Sequence, residues 1–265
     1  MLTPAIRAYY QLLGERDRLR VPASGRLEFL RTWDLLTRVL PPAPARVLDV
    51  GGATGVYAGP LAAAGYRVHV VDPLPAHAEA AAALPGVTAA VGDARRLPAA
   101  GGSADAVLLL GPLYHLTQRA DRVRAWREAA RVARPGGVAV AATIGRYASA
   151  FDGFARGFYR HDGYAPMVDG TLATGVHQPP AGEPWFTTAY FHEPGEAAAE
   201  AAQAGLAVER IAAVEGPLWM IGRLDELLAD EAETAHLLGV LRRVEADPAL
   251  LAASSHLMTV ARIRG

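Results

Sequence analysis

The chain has 265 residues, with 26 Lys and Arg against 27 Asp and Glu for a formal charge of −1 at pH 7, and no cysteine. That length buries a full core and is most simply one domain, while the balanced charge offers no basic footprint for a nucleic-acid backbone and the lack of cysteine excludes disulfides, thiolate metal ligands and a cysteine nucleophile. The first twenty residues hold no apolar h-region and no apolar stretch reaches membrane-span length, so a soluble, unexported, cytoplasmic protein is expected.

In chain order, residues 5–19 and 26–40 read as helices: Ile6, Tyr9, Tyr10, Leu12 and Leu13 share one face, as do Leu27, Leu30, Trp33, Leu36 and Leu40, until Pro41-Pro42 ends the run. From Arg46 the pattern changes to short apolar strands at 46–50, 67–71, 87–91, 105–110 and 137–143, separated by helical stretches at 55–64, 75–83 and 118–133. That alternation predicts a parallel sheet wound by βαβ units. "RPGG", residues 134–137, places Pro and Gly as a type II turn requires. Beyond Ile144 the pattern predicts a long irregular lid over 145–194, rich in Gly, Pro and aromatics such as Phe151, Phe154, Phe158, Tyr164, Trp185, Phe186 and Phe191. A helix at 195–204, a strand at 206–214, a charged helical stretch at 223–245 and a strand at 256–264 complete the chain. The expected layout is one domain: a helical cap (1–43), a core (44–144), the lid (145–194) and the rest of the sheet (195–265).

The stretch "VLDVGGATG", residues 47–55, runs a strand into an acid, Asp49, and then into Gly51, Gly52 and Gly55. Such a turn lets a ligand approach the backbone closely. A dinucleotide fingerprint needs the first, third and sixth glycines of G-x-G-x-x-G. Counted from Gly51 the chain gives Ala53 and Val56, and from Gly52 it gives Thr54 and Tyr57, so neither register matches. No Gly-Lys-Ser/Thr follows, which excludes a P-loop. What remains is acid-x-Gly-x-small-x-Gly between a first strand and its helix.

This pattern resembles the first motif of the class I S-adenosylmethionine-dependent methyltransferases, and later segments keep the resemblance. "RVHVVD" ends in Asp72, about twenty residues past the glycine loop. "VGDARRLP" supplies Asp93 and Ala94, and "ADAVLLLGPLYHL" and "ARPGG" fall where the family has its fourth strand and the turn before its fifth. The likeness covers residues 46–144 and extends to "EPGEAAAEAAQAGLAVERI" and the terminal strand. It implies a doubly wound, mostly parallel, seven-stranded Rossmann-like α/β sheet. It also implies S-adenosyl-L-methionine as cofactor, held by Asp49, Gly51, Gly52, Gly55, Asp72, Pro73, Asp93, Ala94 and Leu110, with Asp72 on the ribose and Asp93 and Ala94 reading the adenine. The N-terminal "YYQLLGERDRL" is similar to the small-molecule branch related to ubiquinone-biosynthesis methyltransferases, which implies that Tyr9 and Tyr10 close over the methionine end. Plainer alternatives stay open: a tight turn for the glycines, turn or N-cap roles for Asp72 and Asp93, helix-on-sheet packing for the tyrosines.

Methyl transfer from a sulfonium is an in-line displacement that needs the acceptor about 3–3.5 Å from the methyl and water kept out. His115, in "GPLYHL" just past the fourth strand, is the candidate general base, with a structural histidine as the alternative. Tyr114 beside it is a candidate substrate contact. Enzymes that methylate amino nitrogens of DNA and protein commonly carry Asn/Asp-Pro-Pro-Tyr/Phe here, and this chain has Gly111-Pro112-Leu113-Tyr114. The missing amide or carboxylate points to a small molecule or peptide acceptor, at O, N or C. In the lid, His161, Trp185 and His192 are candidate substrate contacts, and the aromatics suit an apolar or planar acceptor. His161, His177 and His192 have no partner at a metal-ligand spacing, so no metal is expected. Two rival classes remain: a nicotinamide-dependent oxidoreductase, disfavoured by the glycine spacing, and a protein that binds S-adenosylmethionine without transferring its methyl. The oligomeric state is open between monomer and homodimer.

Overall fold

The computed structural model describes residues 6, 9, 10 and 18–264, so most of the first expected helix lies outside the described residues. Strands β1 (Arg46–Val50), β2 (Arg67–Asp72), β3 (Val87–Val91), β4 (Ala104–Leu109) and β5 (Ala133–Ile144) run parallel. A separate two-stranded ladder, β6 (Val176–His177) with β7 (Ala189–Tyr190), sits in the insertion. Strands β8 (Ala207–Ala213) and β9 (His256–Arg262) complete a seven-stranded sheet of order β3-β2-β1-β4-β5-β9-β8, with β9 antiparallel between β5 and β8. The doubly wound, mostly parallel sheet matches the expected fold class.

Helices cover both faces, which is why the inner strands read as unbroken apolar runs. Period-two alternation sends Val47, Val68, Val70, Leu108 and Val140 to one face, against Leu35, Leu36 and Val39 of the helix Ala23–Val39. Leu48, Val50, Val71, Val107, Leu109 and Ala141 go to the other, against Trp126, Ala129 and Val132 of the helix Arg119–Val132. The same alternation puts Asp49 on the face of Val47 and Asp72 on the face of Val70. Both acids thus emerge at the carboxyl ends of paired strands, beside the β1–β4 neighbours where the strand order reverses.

Several boundaries differ from the sequence expectation. The helix after the glycine loop spans only Ala58–Ala63, because Gly51, Ala53 and Gly55 take positive φ (71°, 47° and 86°) and the chain turns until Tyr57. "RPGG" lies inside β5 as an irregularity in its pairing, with Gly136 at φ 75° where a type II turn has its glycine. The largest departure is the lid. Residues expected to be irregular form the helices Ala148–Arg156 and Tyr164–Thr174, each stopped by a left-handed glycine, Gly157 and Gly175. His192 ties this insertion to the sheet: its N–H donates to the Ile144 carbonyl at 2.7 Å and its carbonyl accepts from Arg146 N–H at 2.8 Å. The charged stretch breaks into the helices Leu224–Leu227 and Glu231–Val244, the second capped by Asp230, which accepts from Glu233 N–H. No helix among the described residues is long and apolar enough to cross a membrane.

Candidate active site

A cavity opens at the carboxyl ends of β1, β2 and β4. Its floor is the Asp49 carboxylate, 1% exposed, with neither oxygen in a hydrogen bond. Burial, and then the neighbouring charge of Asp72, pushes its pKa up to about 7. Gly52 makes room for it, because a Cβ there would fall 2.5 Å from Asp49 Oδ2. Asp72 works partly for the loop: Oδ2 accepts from Ala53 N–H at 3.0 Å, Oδ1 accepts from Leu74 N–H at 2.9 Å, and His77 Nδ1 lies 3.3 Å from Oδ1. Each carboxylate oxygen has two lone pairs, so capacity for a ligand remains.

Asp93 sits at the far wall, where Arg95 grips it through Nε at 2.9 Å, Nη2 at 2.7 Å and its backbone N–H at 2.9 Å. That grip holds the carboxyl well below its usual range, and Asp121 steadies Arg95 from behind at 2.8 Å. Gly51, Pro73, Ala94 and Leu110 also line the cavity. Gly55 does not. It is confined by packing, since a Cβ there would fall 2.5 Å from Leu84 Cδ1.

At the mouth, His115 closes the short helix Pro112–His115, and its Nε2 lies 2.7 Å from the Tyr10 hydroxyl. Burial lowers its pKa to about 4, so the ring is neutral at pH 7. Nδ1 is buried and completes no hydrogen bond, although the Thr188 backbone acts on the ring. Tyr114 packs edge-on against His115 at 4.6 Å.

A second cavity shares Tyr10, Arg18 and Tyr114 with the first. Aromatic rings of the insertion form one wall, Trp185 and Phe186 among them, and Trp185 Nε1 is buried without a partner. Glu28, Glu215 and His256 also line this cavity. His161 and His192 line neither cavity. His161 is exposed, its ring 6.0 Å from Trp185. His192 is fully enclosed, with Nε2 3.7 Å from Glu200 Oε2 and its ring edge-on to Tyr190 at 4.9 Å, because its backbone joins the insertion to β5.

A family model described as a methyltransferase domain matches residues 47–137. Uncharacterized methyltransferases of Mycobacterium tuberculosis and Mycobacterium bovis are 42% identical over 100 residues, which is 37% of this chain. The match spans only 40% of those relatives' length. A SAM-dependent methyltransferase from Methanosarcina mazei superposes with TM-score 0.59 at 16% identity, over 87% of this chain and 97% of that one. A Listeria monocytogenes S-adenosylmethionine-dependent methyltransferase gives 0.60 at 15%, over 91% and 100%. The [4+2]-cyclase SpnF gives 0.55 at 18%, over 89% and 81%. Residues 47–137 thus match a methyltransferase domain, set in a fold shared with S-adenosylmethionine-dependent methyltransferases.

The sequence reading of the methyltransferase domain missed residues whose importance is tertiary. His77 meets Asp72 from the next helix, and Arg18, Glu28, Glu215 and His256 converge from three distant segments on the second cavity. The strand expected at 256–264 marked His256 only as a strand residue, and nothing local announced its two acidic neighbours.

Proposed function

We propose that the chain transfers a methyl group from S-adenosylmethionine to a small-molecule acceptor held in the second cavity. The observation that carries this reading is Asp49, a buried carboxylate with no hydrogen-bond partner at the base of a cavity bounded by the glycine loop. Burying such a group without a partner costs several kcal/mol in principle, and the α-ammonium and sulfonium of the cofactor are the cations that would relieve it. Asp72 would take the ribose hydroxyls with the lone pairs that Ala53 and Leu74 leave, and Asp93, kept ionised by Arg95, would accept from the adenine amine beside Ala94. When bound, the cofactor supplies an electrophilic methyl whose sulfonium charge is neutralised as it transfers.

The protein's own residues handle placement and the proton. Tyr10 and Tyr114 border both cavities, so the acceptor atom meets the cofactor cavity between them. His115, neutral and hydrogen-bonded through Nε2 to Tyr10, can take a proton relayed through the Tyr10 hydroxyl from a hydroxyl, amide or carbon acid at that junction. Phe186 and Tyr9, 5.3 Å apart edge-on, help exclude water. The failed G-x-G-x-x-G spacing speaks against nicotinamide. A non-methylating use of the same cofactor is the second reading, because the [4+2]-cyclase SpnF has this fold.

Incubation with S-adenosylmethionine and a panel of aromatic hydroxy acids, phenols and amines tests the reading. Stoichiometric S-adenosylhomocysteine and methylated product support it. An acceptor converted with no S-adenosylhomocysteine released would replace it with the non-methylating alternative.

A further inference from the structure

The second cavity has one set of lining residues unlike the rest. Glu28, from the helix Ala23–Val39, and Glu215, from the loop after β8, both face His256 at the start of β9. Glu215 accepts from His256 Nδ1 at 2.6 Å and from His256 N–H at 2.9 Å, and Ser254 Oγ donates to it at 3.1 Å. Glu28 Oε2 lies 3.9 Å from His256 Nδ1, and the Arg18 guanidinium donates to Oε2 at 2.8 Å and to Oε1 at 3.1 Å. The ring's other nitrogen, Nε2, points away from Glu215. It makes no hydrogen bond to a described residue, and the His256 side chain lines the cavity and keeps 16% exposure.

Resting on the methyltransferase reading, we propose that His256 Nε2–H anchors an oxyanion of the acceptor, a carboxylate, phenolate or enolate, whose planar body lies along the Trp185 and Phe186 wall toward His115. Two features carry this. With Nδ1 committed to Glu215, Nε2 is the nitrogen left to bond a ligand. The charges also favour a donor: burial pulls the histidine toward neutrality, but Glu28 and Glu215 outweigh it and hold the pKa up at about 9. The ring is therefore an imidazolium at pH 7, already compensated by Glu215, while Arg18 compensates Glu28. The anion thus meets a charge-assisted donor without leaving a buried cation uncompensated in the free protein. A metal ion is the competing use, because one ligand atom each of Glu28, Glu215 and His256 lies within 4.8 Å of the others. It would have to strip Arg18 from Glu28 and the proton from His256, so the geometry favours the anion.

The test is calorimetric titration with naphthalene-2-carboxylate and its neutral isostere naphthalene-2-carboxamide, with and without S-adenosylhomocysteine. At pH 7 the carboxylate should bind about ten-fold tighter than the carboxamide, in keeping with a charge-assisted hydrogen bond. The preference should disappear in His256→Asn, which keeps a group at Nδ1 but none at Nε2, and shrink above pH 9 in the unaltered protein as the imidazolium is lost. His256→Gln, which restores an N–H near Nε2, should recover part of it. Equal binding of the two probes, binding of neither, or a carboxylate preference that persists in His256→Asn would overturn the proposal, as would zinc or manganese binding that displaces the probe. Should His256→Asn fail to fold, the pH dependence in the unaltered protein decides alone. S-adenosylhomocysteine titrated by itself reports the cofactor reading separately, so the two failures are distinguishable.

Discussion

The Tyr10 hydroxyl and His115 Nε2 are 2.7 Å apart, across 105 residues of chain, where the two cavities meet. The N-terminal segment therefore contributes to the candidate base directly. Tyr10→Phe should lower kcat with a smaller change in the KM for the cofactor, and His115→Ala should lower it further, by about 10²–10⁴ if the histidine is the general base. Once an acceptor is known, steady-state kinetics check this, and unchanged turnover in His115→Ala would remove it from the mechanism. The pH sign is definite. With its pKa lowered from 6.5 to about 4, His115 protonates more readily in the unfolded chain, so its contribution to stability is present above pH 6.5 and is lost as pH falls toward 4. Thermal unfolding from pH 7 to 4 should show a shallower loss in His115→Phe.

Asp49 has the opposite linkage. Its pKa rises from 3.8 to about 7 on folding, so its favourable contribution is complete below pH 3.8 and is lost as pH rises through 7. At pH 8 the ligand-free fold carries a buried charge, and Asp49→Asn should stabilise it by on the order of 1–4 kcal/mol while weakening the adenosyl ligands. Melting curves with and without S-adenosylhomocysteine check both halves. Lower stability at pH 8 would show that the carboxylate has a partner in solution.

Asp72→Ala should weaken S-adenosylhomocysteine binding by about 1–3 kcal/mol, the usual cost of unpaired buried hydrogen-bonding groups. Because Ala53 and Leu74 also donate to this carboxylate, the variant should lose thermal stability too. Unchanged affinity would mean that the ribose lies elsewhere.

Gly52→Ala tests the cradle by volume. Its Cβ would meet Asp49 Oδ2 at 2.5 Å, forcing the carboxylate aside. Ligand affinity should drop about ten-fold or more, since an overpacked buried site costs about 1–3 kcal/mol, and calorimetry reads it. Wild-type affinity would place the ligand away from the loop.

Much of this was legible because it is local. The strand patterns placed Asp49 and Asp72 where strands run into turns, and the glycine spacing marked the loop between β1 and its helix. The insertion was not legible: its glycines and aromatics read as irregular, whereas Gly157 and Gly175 are helix stops and Tyr164 packs edge-on against Trp185 at 4.9 Å. His192 looked like a lid histidine facing substrate, but its backbone bonds to Ile144 and Arg146 draw it into the interior. His256 drew no notice, because Glu28 lies 228 positions before it and only the folded chain brings them together. Side chains that act through one strand or turn are written in the sequence; those that act through contacts between distant segments are not.

Parallel calorimetric titrations of the purified protein with S-adenosylmethionine, S-adenosylhomocysteine and NAD test the central claim most directly. Micromolar binding of both adenosyl ligands, weakened in Asp72→Ala, with no heat from NAD, is the predicted result. Binding of NAD without either adenosyl ligand would contradict it and would mean that the loop at 51–55 serves a different nucleotide.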